Sequence, residues 1–159
     1  MLRKGAISRR GVTDLWTLGK PVEQVILDNE EKTTTYAETG ETGLLLGEVS
    51  LPTPKNQQII AFLIHTTAET KTDGVSGSVD IRLFDGTTEM NVDGHAIDGL
   101  TYLFSHLSGV YSSADDTTTN LKGNTQLKVR IYLVGVSGAP TVAQYCRNLV
   151  VTVVPLYKT

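Results

Sequence analysis

Three histidines, one cysteine and a few carboxylate clusters are the residues of this chain whose types could do chemistry. His65, His95 and His106 do not pair with another His or Cys at the short spacings of a zinc site. His65 falls in an apolar run and reads as a core or interface histidine. His95 lies among Asn91, Asp93 and Asp98, a loose imitation of a calcium loop whose spacing is not that of an EF-hand and which has no closing Glu. Asp115 and Asp116 sit in a Thr-rich stretch without the apolar neighbours that would raise one carboxyl's pKa, so they read as turn carboxylates rather than an acid/base pair. Ser105 and His106 are adjacent, and adjacent side chains on a strand point opposite ways. Residues 74–77 (GVSG) lack the spacing of a nucleophile elbow. Cys146 reads as a buried, inert thiol. There is no phosphate-cradling glycine loop, no dinucleotide fingerprint and no His-Glu-x-x-His. The expectation is a protein that is not an enzyme and carries no cofactor and no metal.

Binding chemistry is equally sparse. Arg82, Lys128 and Arg130 could share an outer sheet face with Tyr132, the smallest version of a single-strand nucleic-acid platform. Asp80 shares that face, however, and a salt-bridged outer face is the simpler reading. A formal net charge of -3 adds no global pull toward nucleic acid. The single cysteine excludes an intramolecular disulfide. The longest apolar run, residues 59–64, is too short to span a bilayer. The basic N-terminus is not followed by the apolar segment of a signal peptide.

The elements that must position these residues are strands. With 40% hydrophobic and 19% charged residues, 159 residues suffice for one real core. Residues 75–92 (VSGSVDIRLFDGTTEMNV) carry the clearest pattern. Val75, Val79, Ile81 and Leu83 alternate with Ser76, Ser78, Asp80 and Arg82, which is the period of a strand with one dry face. Asp85-Gly86 then predicts a two-residue hairpin turn between 81–84 and 87–90. Residues 125–136 (TQLKVRIYLVGV) alternate in the same way, with Leu127, Val129, Ile131 and Leu133 on one side. Further strands are predicted over 22–28, 33–38 and 44–51, the last ended by Pro52 and Pro54. Residues 100–107 fit helical spacing as well as a strand and are assigned to a strand because strands flank them. Residues 68–77, 93–98 and 112–124 read as loops or turns. The class is all-β, an antiparallel β-sandwich over residues 21–159, with an extended N-terminal arm over residues 1–20.

Two strands, 59–66 (IIAFLIHT) and 147–156 (RNLVVTVVPL), are apolar on both parities. A two-layer sandwich dries one face of each strand, and the second face needs a cover. That cover is either the arm or a loop of the same chain, or another subunit. The preferred expectation is a homo-oligomer, a trimer first, with Phe62 and Val154 at the interface. The arm mixes Arg3, Lys4, Arg9 and Arg10 with isolated apolar residues, so it reads either as a solvated tail or as a segment that lies on an acidic partner surface. Trp16, the single tryptophan, is placed where the arm meets the domain.

The second half of the chain, IRLFDGTTEM followed by NTQLKVRIYLVGV and RNLVVTVVPL, resembles the end of the jelly-roll domains common among tailed-phage virion proteins. There an "IRLxDGT" hairpin strand is followed by an "LKVR" strand, a Gly/Ser turn and a terminal "NxxLxVxxL" strand. The resemblance covers residues 75–156; related sandwiches in carbohydrate-binding and trimeric cytokine-like domains end similarly. It implies a jelly-roll and a structural role on a virion: a capsid decoration or cement protein, or the head of a spike or fibre, made in the host cytoplasm. The implied partner is a major capsid protein or another virion component, with no nucleic acid and no membrane. The alternative is a carbohydrate-binding or host-adhesion module that takes a surface glycan. No site residue is carried over.

Overall fold

Two strands of fifteen residues frame the molecule: β6 (Gln58–Thr72) and β11 (Gln144–Lys158), paired antiparallel along almost their whole length. The computed structural model describes residues 4–9, 12–51, 58–112 and 127–158. Around the central pair the chain runs β1 (Lys4–Arg9), β2 (Val12–Leu18), β3 (Val22–Val25), β4 (Glu31–Thr34), a one-turn helix α1 (Tyr36–Thr39) and β5 (Leu44–Ser50). After β6 come β7 (Ser78–Phe84), β8 (Glu89–Ala96), β9 (Leu103–Ser112) and β10 (Lys128–Val134), and β11 closes the fold.

The larger sheet has β9 on one side of β6 and β11 on the other; the free edge of β11 takes β4, β3 and β2 in turn along its length. The smaller sheet has the order β5-β10-β7-β8. With β3 and β4 counted as one interrupted strand, and apart from the β7–β8 pair, each connection crosses between sheets: β3/β4 large, β5 small, β6 large, β7 and β8 small, β9 large, β10 small, β11 large. That is the eight-stranded double Greek key of a jelly-roll. The sandwich and the jelly-roll expected from the sequence are both present. Residues 1–20, expected as an extended arm, include β1 and β2, which pair antiparallel, and the end of β2 pairs with Leu156–Lys158 of β11.

The core lies between the sheets. Val79, Ile81 and Leu83 of β7 and Val129, Ile131 and Leu133 of β10 point into it, as their alternation predicts. Opposite them stand Phe62, Ile64 and Ala68 of β6 and Cys146, Leu149, Val151 and Val153 of β11. Val75, placed on the inward parity by its spacing, precedes β7 and is exposed.

Each long strand changes parity at a bulge. In β11 the inward residues are Gln144 and Cys146, then Leu149, Val151 and Val153; the register slips between Arg147 and Val150. Asn148 takes up the extra residue at a φ of +51°, a left-handed conformation that Asn tolerates. A second slip between Leu156 and Tyr157 brings Ile59 as well as Phe62 inward on β6.

Several boundaries differ from the sequence reading, each for a local reason. Residues 33–38 split into β4 and α1, because Thr35 caps the helix. Its hydroxyl accepts from Glu38 N at 3.3 Å and its own N–H donates to the Glu38 carboxylate at 2.9 Å. This is a Thr-x-x-Glu capping box. β6 continues through residues 68–72, read as loop, because Thr66, Thr70 and Thr72 keep the inward parity and are buried. β8 likewise runs to Ala96 through residues expected as a turn, while of residues 100–107 the part from Leu103 onward is in a strand, β9. Residues 52–57 and 113–126, the second holding all but Ser112 of the stretch expected as a loop over 112–124, lie outside the described residues.

The Asp85-Gly86 turn is present but longer than predicted. Phe84 pairs with Glu89, so four residues make the loop. The Asp85 carboxylate accepts from Thr87 N at 2.8 Å and Thr88 N at 2.6 Å, and Gly86 holds a φ of +99°. A Cβ is strained there, and a β-branched one most of all. Gly86→Val is expected to destabilise the protein by about 1–3 kcal/mol, read as a lowered denaturation midpoint; an unchanged midpoint would show that the turn tolerates the side chain.

Gln144 is the polar anchor of the core. It is fully buried, donates through Nε2 to Val75 O at 2.9 Å and accepts from Gly77 N at 3.1 Å. Thr72 donates to the same Val75 carbonyl at 2.8 Å. One glutamine thus fixes the loop between β6 and β7. Gln144→Leu leaves the half-buried Gly77 N–H without its partner and is expected to cost about 1–3 kcal/mol. Amide hydrogen exchange at Gly77 should accelerate with it, and unaltered protection there would contradict the role.

Candidate functional site: the outer faces of the two sheets

The outward face of the large sheet is divided along its length. At one end the register lines up Leu18 of β2, Leu156 of β11 and Ala61 of β6 in one row, with Val154 and Leu63 in the next. Leu63 is 44% exposed, Leu18 is exposed, and Val154 and Leu156 are half-buried. The two-faced apolar strands read from the sequence therefore do present apolar side chains outward. The residue expected to lead that surface is wrong by one position. Phe62 is 1% exposed and belongs to the chain's own core, because the inward parity of β6 in this part of the strand is even-numbered; Leu63 takes the outward place. Val154 is on the outer face as expected. Of the remaining expected interface residues, Arg3 and Arg10 lie outside the described residues. Lys4 and Arg9 are on β1 and Trp16 is on β2, where the backbone alone is described.

The other end of that face is ionic and aromatic. The Lys71 ammonium lies 4.1 Å from the Tyr145 ring centroid and 5.2 Å from that of Tyr102, and the Arg147 guanidinium lies 3.8 Å from the Tyr102 ring. Cation–π attraction of this kind holds the four side chains as a stack. Tyr145 donates to Asp73 at 2.6 Å, Tyr102 donates to Glu31, and Arg147 Nε donates to Glu69 at 3.1 Å. Burial, then the Glu31 partner, raises the Tyr102 phenol well above its usual range, so it stays a donor. Next to this stack Phe104, opposite Glu69 in register, is 72% exposed.

Between the two ends lie histidines that sequence spacing had left scattered. His65 on β6 stands opposite Ser108 on β9, and its Nδ1 is 2.6 Å from Ser108 Oγ. His106, two residues away on β9, brings its ring centroid to 6.1 Å from that of His65. His65 is exposed at the outer face rather than held in the core. His95 is on β8 in the other sheet. Cys146 is buried, and burial pushes its thiol up to about 12, which leaves it protonated and inert at neutral pH.

The outer face of the small sheet carries the basic residues considered as a nucleic-acid platform. Arg82 and Arg130 are directly opposed in register, a destabilising arrangement for like charges. Glu89 resolves it. Its carboxylate accepts from Arg130 at 3.0 Å, Arg82 at 3.4 Å and the Tyr132 hydroxyl at 2.9 Å. Glu48 accepts from Lys128 and from Arg130 at 3.1 Å, and Asp80 accepts from Arg82 at 3.3 Å. Arg82 and Arg130 also stack on Tyr132 and Phe84, at 4.1 and 3.7 Å. Three cations are met by three carboxylates, so this face is the salt-bridged outer face of the simpler reading and offers no surplus of positive charge.

Burial pushes the Glu89 carboxyl upward, but the hydrogen bonds from Arg130, Tyr132 and Arg82 outweigh it and hold the pKa below the ordinary 4.5. For Glu48 the Lys128 bond is the largest influence and the net direction is also down. A carboxylate whose pKa is depressed by folding stabilises the protein above its unfolded value and loses that contribution as pH falls through the folded one. The melting temperature should therefore drop as pH is taken below 4.5. Glu89→Gln should lower it at neutral pH and narrow the gap to wild type in acid. Parallel melting curves across that range would show that Glu89 does not carry the dependence.

No protein-family model matches the chain, and no curated protein does. Solved structures do. A chain of the infectious bursal virus-derived T=1 particles matches at a TM-score of 0.50 and 12% identity, over 97% of this chain and 40% of that one. The infectious bursal disease virus Gt strain matches at 0.49 and 15% identity, over 97% and 42%. The CBM22-1 xylan-binding domain from Paenibacillus barcinonensis matches at 0.34 and 10% identity, over 99% and 81%. The chain spans less than half the length of the viral chains it matches. At 12% identity the likeness to the first of these is one of fold alone, an all-β sandwich.

Proposed function

We propose that this chain is a structural virion protein, a capsid decoration or spike component, that works by binding other protein surfaces and catalyses nothing. The observation that carries the reading is the outward apolar row of Leu18, Leu156, Ala61, Val154 and Leu63 on the large sheet of a jelly-roll. Apolar rows of this kind are costly in water, and soluble monomers rarely expose a large one. Covering a few hundred Å² contributes several kcal/mol at ~25 cal/mol per Å². That gain must exceed the entropy lost on association. A second copy of the chain is the simplest cover, with a closed trimer as the preferred assembly. The basic N-terminal residues Arg3, Lys4, Arg9 and Arg10 then serve as the contact to an acidic patch on the shell. The coarser fold likeness to viral capsid proteins is consistent with this role and with a place on a virion.

The second reading, an adhesion module for a surface glycan, rests on Phe104. An exposed ring beside Glu69, Arg147 and Asn148 offers a sugar one apolar platform and several polar partners. The rings of Tyr102 and Tyr145 are already engaged by Lys71 and Arg147, which leaves Phe104 as the free ring at this end of the face among the described residues, where sugar readers use several.

Light scattering coupled to size-exclusion chromatography separates these outcomes. Wild type should run as an oligomer at micromolar concentration. Leu63→Asp should run as a folded monomer, because Leu63 contributes little to the chain's own core. A wild-type protein that stays monomeric at high micromolar concentration would overturn the oligomer. Glycan binding lost in Phe104→Ala would favour the second reading instead.

A further inference from the structure

We infer that His65 and His106 form a binding site for a borderline transition-metal cation, Zn²⁺ or Cu²⁺, on the outer face of the large sheet. The two residues are far apart in sequence, and only the β6–β9 register makes them neighbours: His65 is opposite Ser108 and His106 is opposite Thr67. They are diagonal neighbours on the same face, close enough for long side chains to meet. Their ring centroids are 6.1 Å apart with planes at 44°. Two imidazoles bound to one metal at about 2.0–2.1 Å per nitrogen place their centroids roughly 5 Å apart, so a modest side-chain rotation closes the pair on an ion.

Ser108 supplies the orientation such a site needs. Its Oγ is 2.6 Å from His65 Nδ1. When that nitrogen carries the proton and donates to the hydroxyl, the lone pair of Nε2 is directed away and free to ligate. A ligating histidine typically has its other ring nitrogen held this way, which fixes tautomer and ring angle. Both rings are exposed, so an ion can reach them and shed water onto them. No carboxylate is recruited: Glu69, the nearest acidic residue along β6, is committed to Arg147 and Asn148. The donor set is therefore two neutral nitrogens with the remaining positions left to water. That set favours Cu²⁺ over Zn²⁺ and discriminates against Mg²⁺ and Ca²⁺, which require oxygen ligands. The site lies beside the apolar row, and a metal held there does not require the oligomer proposed above.

The test is isothermal titration of tag-free protein with ZnCl₂, alongside NMR of the imidazole resonances. One Zn²⁺ per chain is expected, with shifts at His65 and His106 and none at His95. His65→Ala and His106→Ala should each abolish saturable binding while melting like wild type, since both rings are exposed. Ser108→Ala should weaken binding about tenfold. A tenfold excess of CaCl₂ should leave it unchanged. The proposal is overturned if no saturable binding occurs, if both histidine variants bind as wild type does, or if the shifts fall on His95. Because every readout is per chain, a monomeric protein that binds zinc would sink the assembly reading and leave the metal site standing.

Discussion

Pairing of β11 along both edges is the constraint on which the rest of the structure depends. One edge carries β6 for almost its full length; the other carries β4, β3 and β2 one after another. A strand in that position has few unpaired backbone groups left, so it can be buried on its inner face without an unsatisfied donor or acceptor. It also explains the composition of β11. Leu149, Val151 and Val153 face the core, while Val150, Thr152 and Val154 lie half-buried on the outer face of the large sheet, and β-branched residues suit both surfaces.

The same strand shows how a sheet can shift its facing within one element. Gln144 and Cys146 point inward on even numbers, and after the bulge at Asn148 the odd numbers take over. Without that extra residue, either the Gln144 anchor or the Leu149–Val153 row would be turned to solvent. The bulge therefore lets one strand serve the polar loop anchor at one end of the sandwich and the apolar core at the other.

The two outer faces resolve their charges differently. The small sheet neutralises opposed arginines internally with Glu89 and Glu48, and its polar groups are largely spent on one another. The large sheet is graded, with an apolar row at one end and a cation–aromatic stack at the other. A face of that kind can be covered by a flat partner at its apolar end while the stack stays in water. This asymmetry is why the large sheet, and not the small one, is the surface assigned to assembly.

Much of this architecture was legible in the residues. The alternation in β7 and β10 named their inward residues correctly, because period two is a local property of an extended chain. Asp85-Gly86 marked a turn, since a positive φ is a local demand. The Thr-x-x-Glu box at 35–38 is equally local, but the β-rich Thr run before it masks the helix start. The balance of charge around Arg82 was foreshadowed by Asp80 on the same parity. What only the tertiary structure decided was the facing of the strands that are apolar on both sides, and with it the place of Leu63 instead of Phe62 on the surface. It likewise decided that His65 and His106 are neighbours. Both outcomes depend on register between strands distant in sequence and on bulges that reverse parity. A single inserted residue turns every later side chain to the other face, and no local pattern in an apolar strand records which face that will be.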